Sequence, residues 1–235
     1  MRKIVVLILL AFAIKGHAQH DKRLFSKDPI INLENFQKQK MYFGFYLGFN
    51  SFDFKIDYKT PVVTDIYVKK STGFNVGLVA DLRLQEYISL RFEPGLYYTK
   101  RDLYFPDFTD KKDILREVSS TYIHFPLLMK FSSLRTGNVR PYLLSGVSAT
   151  LNLSSNSKSL DDNLEGTFRV KSWKTNYELG FGIDIFSEYF IFSPSIRGVF
   201  GIGDELIRDK DPNSPWTGNL QSMKSRAFLI NFTFH

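Results

Sequence analysis

Charged side chains and one histidine recur at alternate positions within otherwise apolar stretches of this 235-residue chain. A set with both signs of charge can line a polar pathway, bind a ligand, or neutralise itself as a network of buried ion pairs. Because both signs occur, we expect a self-neutralising network, and a polar pathway or ligand site is the alternative. The residues concerned are Asp81, Arg83, Arg91, Glu93, His124, Lys130, Arg140, Glu178, Asp184 and Arg197.

His17 falls in the predicted signal peptide, and His20 and His235 are terminal, so His124 is the only histidine in the interior of a predicted strand and the first candidate for catalysis. A histidine-dependent hydrolase also needs a serine nucleophile and an acidic partner. Phe125 and Pro126 follow His124 with no serine two residues on, and the chain has no GxSxG, HExxH, phosphate-binding or calcium-loop motif. We therefore predict a hydrogen-bonded structural histidine, no enzymatic activity, no cofactor, no metal and no identifiable small-molecule substrate.

Strands must position these residues, because the apolar side chains repeat with a period of two. The clearest example is the C-terminal stretch, where Phe228, Ile230, Phe232 and Phe234 alternate with polar residues. The chain is 16% aromatic, yet its mean hydropathy is only -0.17, as expected when every second strand residue faces water. Eight such segments are predicted, at residues 41–54, 74–84, 88–99, 122–131, 139–153, 176–185, 190–197 and 226–235.

The links between these segments alternate in length. Residues 55–70, 101–118, 154–172 and 204–225 form long, polar, charged links, whereas 85–87, 132–138 and 187–188 are short. This rhythm is typical of outer-membrane barrels, which have short periplasmic turns and long extracellular loops. The predicted fold is therefore an all-β, eight-stranded antiparallel transmembrane β-barrel. A soluble barrel with an inward apolar face is the alternative, but that fold does not explain why long and short links alternate.

The N-terminus predicts export. A basic start, an apolar run at residues 4–14 and the small residues Gly16 and Ala18 resemble a signal peptide cleaved after Ala18. We expect a signal peptide at 1–18, a periplasmic segment at 19–40 and the barrel at 41–235. The chain has no cysteine, which excludes an acyl anchor on cysteine and disulfides.

The net charge of +7 does not indicate nucleic acid, because the basic residues are scattered and cluster only in the predicted loops. On an exported barrel such loops can meet the phosphates of lipopolysaccharide. We therefore expect outer-membrane lipid and lipopolysaccharide as partners, and no nucleic acid.

Four stretches resemble the strand motifs of the PorT family of outer-membrane barrels from Bacteroidota. They are LRFEPGLYY (90–98), YIHFPLLMK (122–130), RPYLLSG (140–146) and YELGFGID (177–184). The lead-in KDPIINLENF (27–36), followed by FGFYLGFN (43–50), extends the resemblance to the family members that serve type IX protein secretion.

The resemblance implies a non-enzymatic barrel that supports the export of cargo proteins, and gliding motility where it is present, as a scaffold or assembly partner of other secretion-system proteins. It implies no catalytic residue. The alternative is a small channel or a structural barrel of the same family with no role in secretion.

Overall fold

The computed structural model describes residues 31–61, 65–105, 114–155, 168–212 and 214–235. The predicted signal peptide and residues 19–30 lie outside this part of the chain. Within it, one short 3-10 turn, Phe36–Lys38, precedes the strands. The strands are β1 (Met41–Tyr58), β2 (Tyr67–Lys70), β3 (Thr72–Arg83), β4 (Ile88–Phe92), β5 (Gly95–Tyr104), β6 (Leu115–Ser132), β7 (Val139–Asn152), β8 (Trp173–Phe186), β9 (Ile191–Gly201) and β10 (Leu220–Phe234).

The strands form one closed antiparallel barrel. β1 pairs with β3, β3 pairs with both β4 and β5, and these two pair with β6. From β6 to β10 each strand pairs with the next, and β1 closes the ring against β10, with Phe45 opposite Phe234 and Asp53 opposite Arg226. Because β4 and β5 are two parts of one barrel strand and β2 is a short addition beside β5, eight strands surround the lumen. The predicted eight-stranded antiparallel barrel is confirmed. No helix in the described ranges is long and apolar enough to cross a membrane.

Pro94 accounts for the break between β4 and β5. Proline has no backbone N–H and removes a ladder donor. The register nevertheless continues across the break, with Phe92 opposite Ala80 and Gly95 opposite Gly77, and the Pro94 carbonyl still accepts a bond of 2.9 Å from the Leu78 N–H. The proline interrupts the strand without shifting its inward and outward faces.

The two faces of the strands differ as the period-two pattern predicts. On β1, Phe43 is 68% exposed on the outer wall, while Tyr46, three residues further on and on the opposite face, is fully buried in the lumen. The outer wall of β8 likewise carries Leu179 and Phe181, and its inner wall carries Glu178 and Asp184. The apolar residues therefore form an outer band, and the polar ones fill the inside.

The predicted bounds of three long links were wrong. In the link predicted at 55–70, β1 continues to Tyr58 and β2 follows. In the link predicted at 101–118, β5 occupies the first residues and β6 the last. In the link predicted at 204–225, β10 already begins at Leu220. The inward residues of these extensions pack together, which is why strand continues there. The buried cluster contains Phe54, Leu103, Phe105, Val118, Phe168, Val170, Leu206, Trp216, Leu220 and Met223.

The end of the barrel with the short links, called here the turn end, also receives the N-terminal segment. The Asn32 N–H donates to Asn138 Oδ1 at 2.9 Å, and its side-chain amide donates to the Phe186 carbonyl at 3.1 Å. The Phe36 ring lies 5.3 Å from the Tyr42 ring. Residues 31–40 thus pack beneath the barrel. The opposite end, with the long links, is called the loop end.

Candidate functional site

Strand alternation brings the predicted charged residues to the inner wall, where the turn-end half of the lumen holds most of them. Asp184 on β8 is the centre of one group. It accepts hydrogen bonds from Lys130 at 2.8 and 2.9 Å, from Arg140 at 2.8 and 3.1 Å, and from the Ser193 hydroxyl at 2.7 Å. Two cations therefore share one buried carboxylate.

A second group is centred on two arginines. Arg91 binds Asp81 in a bidentate pair at 2.6 and 2.9 Å and also reaches Glu93 at 3.2 Å. Arg197 donates to Glu93 and, at 3.1 Å, to Glu178. Arginine suits this position because its planar group can bind carboxylates with several N–H groups at once. The chain of ion pairs thus crosses the lumen from β3 to β8.

His124 continues this chain. Its ring nitrogens lie 2.7 Å from Glu178 Oε1 and 2.7 Å from Thr150 Oγ1. A hydroxyl, an imidazole and a carboxylate in this order resemble a hydrolase triad. However, His124, Thr150 and Glu178 are all buried, so a substrate has no access to the hydroxyl. The geometry is that of a histidine whose two ring nitrogens are both occupied by structural partners.

Nine of the ten sequence-predicted residues belong to these connected groups. Arg83 is the exception, since it lies at the turn end and lines a cavity there with Tyr42, Glu86, Arg135 and Arg140. The nine residues comprise four carboxylates, four arginine or lysine cations and His124, so the cluster balances its own charge.

Sequence reasoning missed several polar partners of this network. Thr150 and Ser193 lie on inward positions of β7 and β9, and strand alternation was the signal that could have found them. His235 was set aside as terminal, although its position in the alternation of β10 points inward. Its ring lies 3.3 Å from Arg91 Nη2 and 3.6 Å from Asp81.

A further charged layer, also missed, lies nearer the loop end. Lys174 contacts Glu205 at 3.2 Å and the Ser225 hydroxyl at 2.9 Å, while Arg101 donates to Ser225 at 3.1 Å and to the Tyr122 hydroxyl. Arg101 and Glu205 fall in the links that were predicted as loops, which is why the inward face was not followed to them. The apolar cluster of the extended strands lies on the loop side of this layer.

Glycine provides the space that this filling requires. An added Cβ on Gly95 would lie 2.0 Å from the Tyr46 hydroxyl, and one on Gly182 would lie 2.4 Å from the Tyr142 ring. The large inward rings therefore lie over neighbouring strands, at positions where glycine leaves no side chain in their way.

The lumen is closed at the level of the ion pairs. Arg91, Glu178 and Arg197 are each at most 1% exposed, so water does not reach them from either end. About eight strands leave an interior that side chains can fill. Among the described residues, no group of three or more His, Asp or Glu side chains is arranged to hold a metal ion.

The fold and the filled polar interior define an eight-stranded transmembrane β-barrel. Residues 18–206 match the family described as outer membrane protein beta-barrel domain, and the chain belongs to that family. It is an outer-membrane protein. The match ends before β10, the strand that closes the barrel. A search of the curated proteins finds no match.

Several solved structures are similar to the chain. OprG from Pseudomonas aeruginosa is 13% identical, with 82% of this chain and 92% of OprG covered and a TM-score of 0.46. Neisserial surface protein A is 15% identical, with coverage of 80% and 95% and a TM-score of 0.39. Ail of Yersinia pestis, crystallised with a heparin analogue, is 12% identical, with coverage of 83% and 99% and a TM-score of 0.39.

Proposed function

We propose that this barrel is a non-enzymatic component of the type IX protein secretion system, in which it acts as a scaffold or assembly partner. The proposal begins from the resemblance of residues 90–98, 122–130, 140–146 and 177–184 to the PorT family. The lead-in at 27–36 resembles that of PorT itself, a component of this secretion system. Export of cargo, and gliding motility where it is present, are the expected roles.

The closed lumen is the observation that carries the scaffold role. Ion pairs between buried residues, such as Arg197 with Glu178 and Lys130 with Asp184, fill the interior. Breaking a buried pair by removing one partner costs about 3–5 kcal/mol, so this filling does not move aside readily. An eight-stranded barrel is also too narrow to pass a folded protein. Any contribution to secretion must then come from surfaces offered to other proteins.

The turn end supplies such a surface. The segment at 31–40 is held beneath the barrel by Asn32, whose carbonyl accepts a bond of 2.6 Å from Arg135. Ile31 remains 57% exposed there, and residues 19–30 precede it. The anchored segment can present apolar side chains to a periplasmic partner at a defined place under the barrel.

A deletion strain tests the proposal. Loss of the gene should abolish the secretion of type IX cargo, and the wild-type gene supplied in trans should restore it. A variant lacking residues 20–36 should still form a heat-modifiable barrel on gels, as expected if the strands carry folding, yet fail to restore secretion. The Leu134→Ser variant, which changes an exposed turn-end residue outside the segment, is the matched control.

Normal cargo secretion by the deletion strain would refute the proposal and leave a structural barrel unrelated to secretion. Conductance in planar bilayers would instead support a channel, which the closed lumen disfavours. A change in lipid A mass in the deletion strain would support a lipid-modifying enzyme, and the burial of Thr150 and His124 argues against it.

A further inference from the structure

The outer wall carries a group of cations where the apolar band of β1 and β10 ends toward the loop end. Along β1 the outward residues change from Phe49 through Ser51 to Asp53 and Lys55, and along β10 they change from Phe228 to Arg226 and Lys224. Charged residues directly beyond an apolar band lie at the level of the lipid headgroups. This group therefore faces the headgroups of the outer leaflet.

The cations are arranged in a way that favours an anion. Lys55 and Lys224 are directly opposite each other on neighbouring strands, where like charges repel, and Asp57, 3.7 Å from Lys55, is one carboxylate for these two lysines. In the next row, Asp53 holds Lys70 at 2.9 Å and Arg226 at 2.7 Å. The Lys70 and Arg226 side chains remain 49% and 53% exposed, so N–H groups on both point outward.

An apolar groove of about 270 Å³ begins at the same place. Its uncharged lining residues are Ser51, Gly198, Phe200, Ala227 and Phe228, and its charged lining residues are Asp53, Lys70 and Arg226. The Phe200 ring leans over Gly198, where an added Cβ would lie 2.9 Å from the ring, and it therefore forms one side of the groove. A narrow apolar depression with cations at one end has the shape and charge of a lipid site.

We propose that this groove binds a phosphorylated glycolipid of the outer leaflet, the lipid A part of lipopolysaccharide. A phosphate group contacts Arg226, Lys224 and Lys70, and an acyl chain lies in the groove over Ser51, beside the Phe200 and Phe228 rings. Arginine and lysine both form strong charge-assisted bonds with phosphate. The site is independent of the proposed role in secretion, since it depends only on the outer wall.

Native mass spectrometry of the detergent-purified barrel can test this site with purified lipid A and with the same lipid after removal of its phosphates. Wild-type protein should bind lipid A about tenfold more tightly than the dephosphorylated form. The double variant K224Q/R226Q should lose about tenfold in affinity for lipid A, as expected for lost charge-assisted contacts. The K38Q/K171Q variant removes two exposed cations away from the groove and should bind as wild type does.

The Ser51→Leu variant examines the groove without changing charge. A leucine there suits the lipid-facing wall, so the barrel should fold, but the side chain occupies the groove and should weaken lipid A binding severalfold. Heat modifiability on gels confirms folding of each variant. The proposal would be overturned if wild-type protein bound lipid A and the dephosphorylated lipid with equal affinity. It would also be overturned if the folded K224Q/R226Q variant bound lipid A as wild type does.

Discussion

Removal of Arg197 should strongly destabilise the barrel. Arg197 is 1% exposed and donates to both Glu93 and Glu178, which are equally buried. The Arg197→Met variant keeps much of the side-chain volume but leaves two carboxylates short of a cation in a closed lumen. Each charge-assisted bond contributes about 1.5–3 kcal/mol, and breaking a buried ion pair costs about 3–5 kcal/mol in total. We expect a loss of that size in the free energy of unfolding.

Urea unfolding of the barrel in lipid vesicles, followed by gel mobility and tryptophan fluorescence, measures this loss. The matched control is Arg208→Met, because the Arg208 side chain is 47% exposed and pairs with Asp204 at the surface. Exposed pairs contribute about 0–1 kcal/mol, so this variant should unfold close to wild type.

A double variant separates lost pairing from lost packing. Adding Glu178→Gln to Arg197→Met removes the carboxylate that lost its partner, and His124 can still hydrogen-bond to the amide. If charge imbalance causes the destabilisation, the double variant should regain at least about 1 kcal/mol relative to Arg197→Met. An Arg197→Met variant as stable as the Arg208→Met control would refute the reasoning that these ion pairs support the lumen.

Three further predictions concern the outer wall, a loop and the turn end. Leu179→Arg places a cation against hydrocarbon and should lower the free energy of unfolding by about 2–4 kcal/mol in the same urea assay. The control Tyr189→Arg, at an exposed turn, should leave stability unchanged. Equal stability of the two variants would show that the outer face is misassigned. Burial raises the pKa of Asp204, but bonds from the backbone N–H groups of Met223 and Leu206 outweigh it and lower the pKa overall. Its stabilising effect is therefore present above about pH 4 and is lost as the pH falls through the lowered value. The protection factors of amides in residues 202–219, corrected for the intrinsic exchange rate at each pH, should therefore fall at acid pH, and Asp204→Asn should lower them at pH 7. A variant protected like wild type would count against this reasoning. Arg135→Ala removes a donor to the Asn32 carbonyl and should speed hydrogen exchange in residues 31–40 without altering gel mobility, while unchanged exchange would mean that other contacts hold the segment.

Strand alternation predicted the direction of most side chains, and together with the alternation of long and short links it predicted the barrel. Because neighbouring residues of a strand point to opposite faces, Leu179 and Glu178 could be assigned to the outside and the inside without any tertiary information. The same rule placed Asp81, Arg91 and Asp184 inside. These assignments are local, so they depend only on the chain being extended.

The pairing within the lumen was decided by tertiary structure. Register and strand tilt determine that Arg197 lies between Glu93 and Glu178, which are 104 and 19 residues away in sequence. The same holds for the loop end, where Leu103, Val118 and Met223 look like isolated apolar residues in charged links until the barrel brings them together. Hydrophobic burial then extends the strands beyond the membrane band. A residue's face follows from its position in a strand, but its partner follows from how all eight strands close around the lumen.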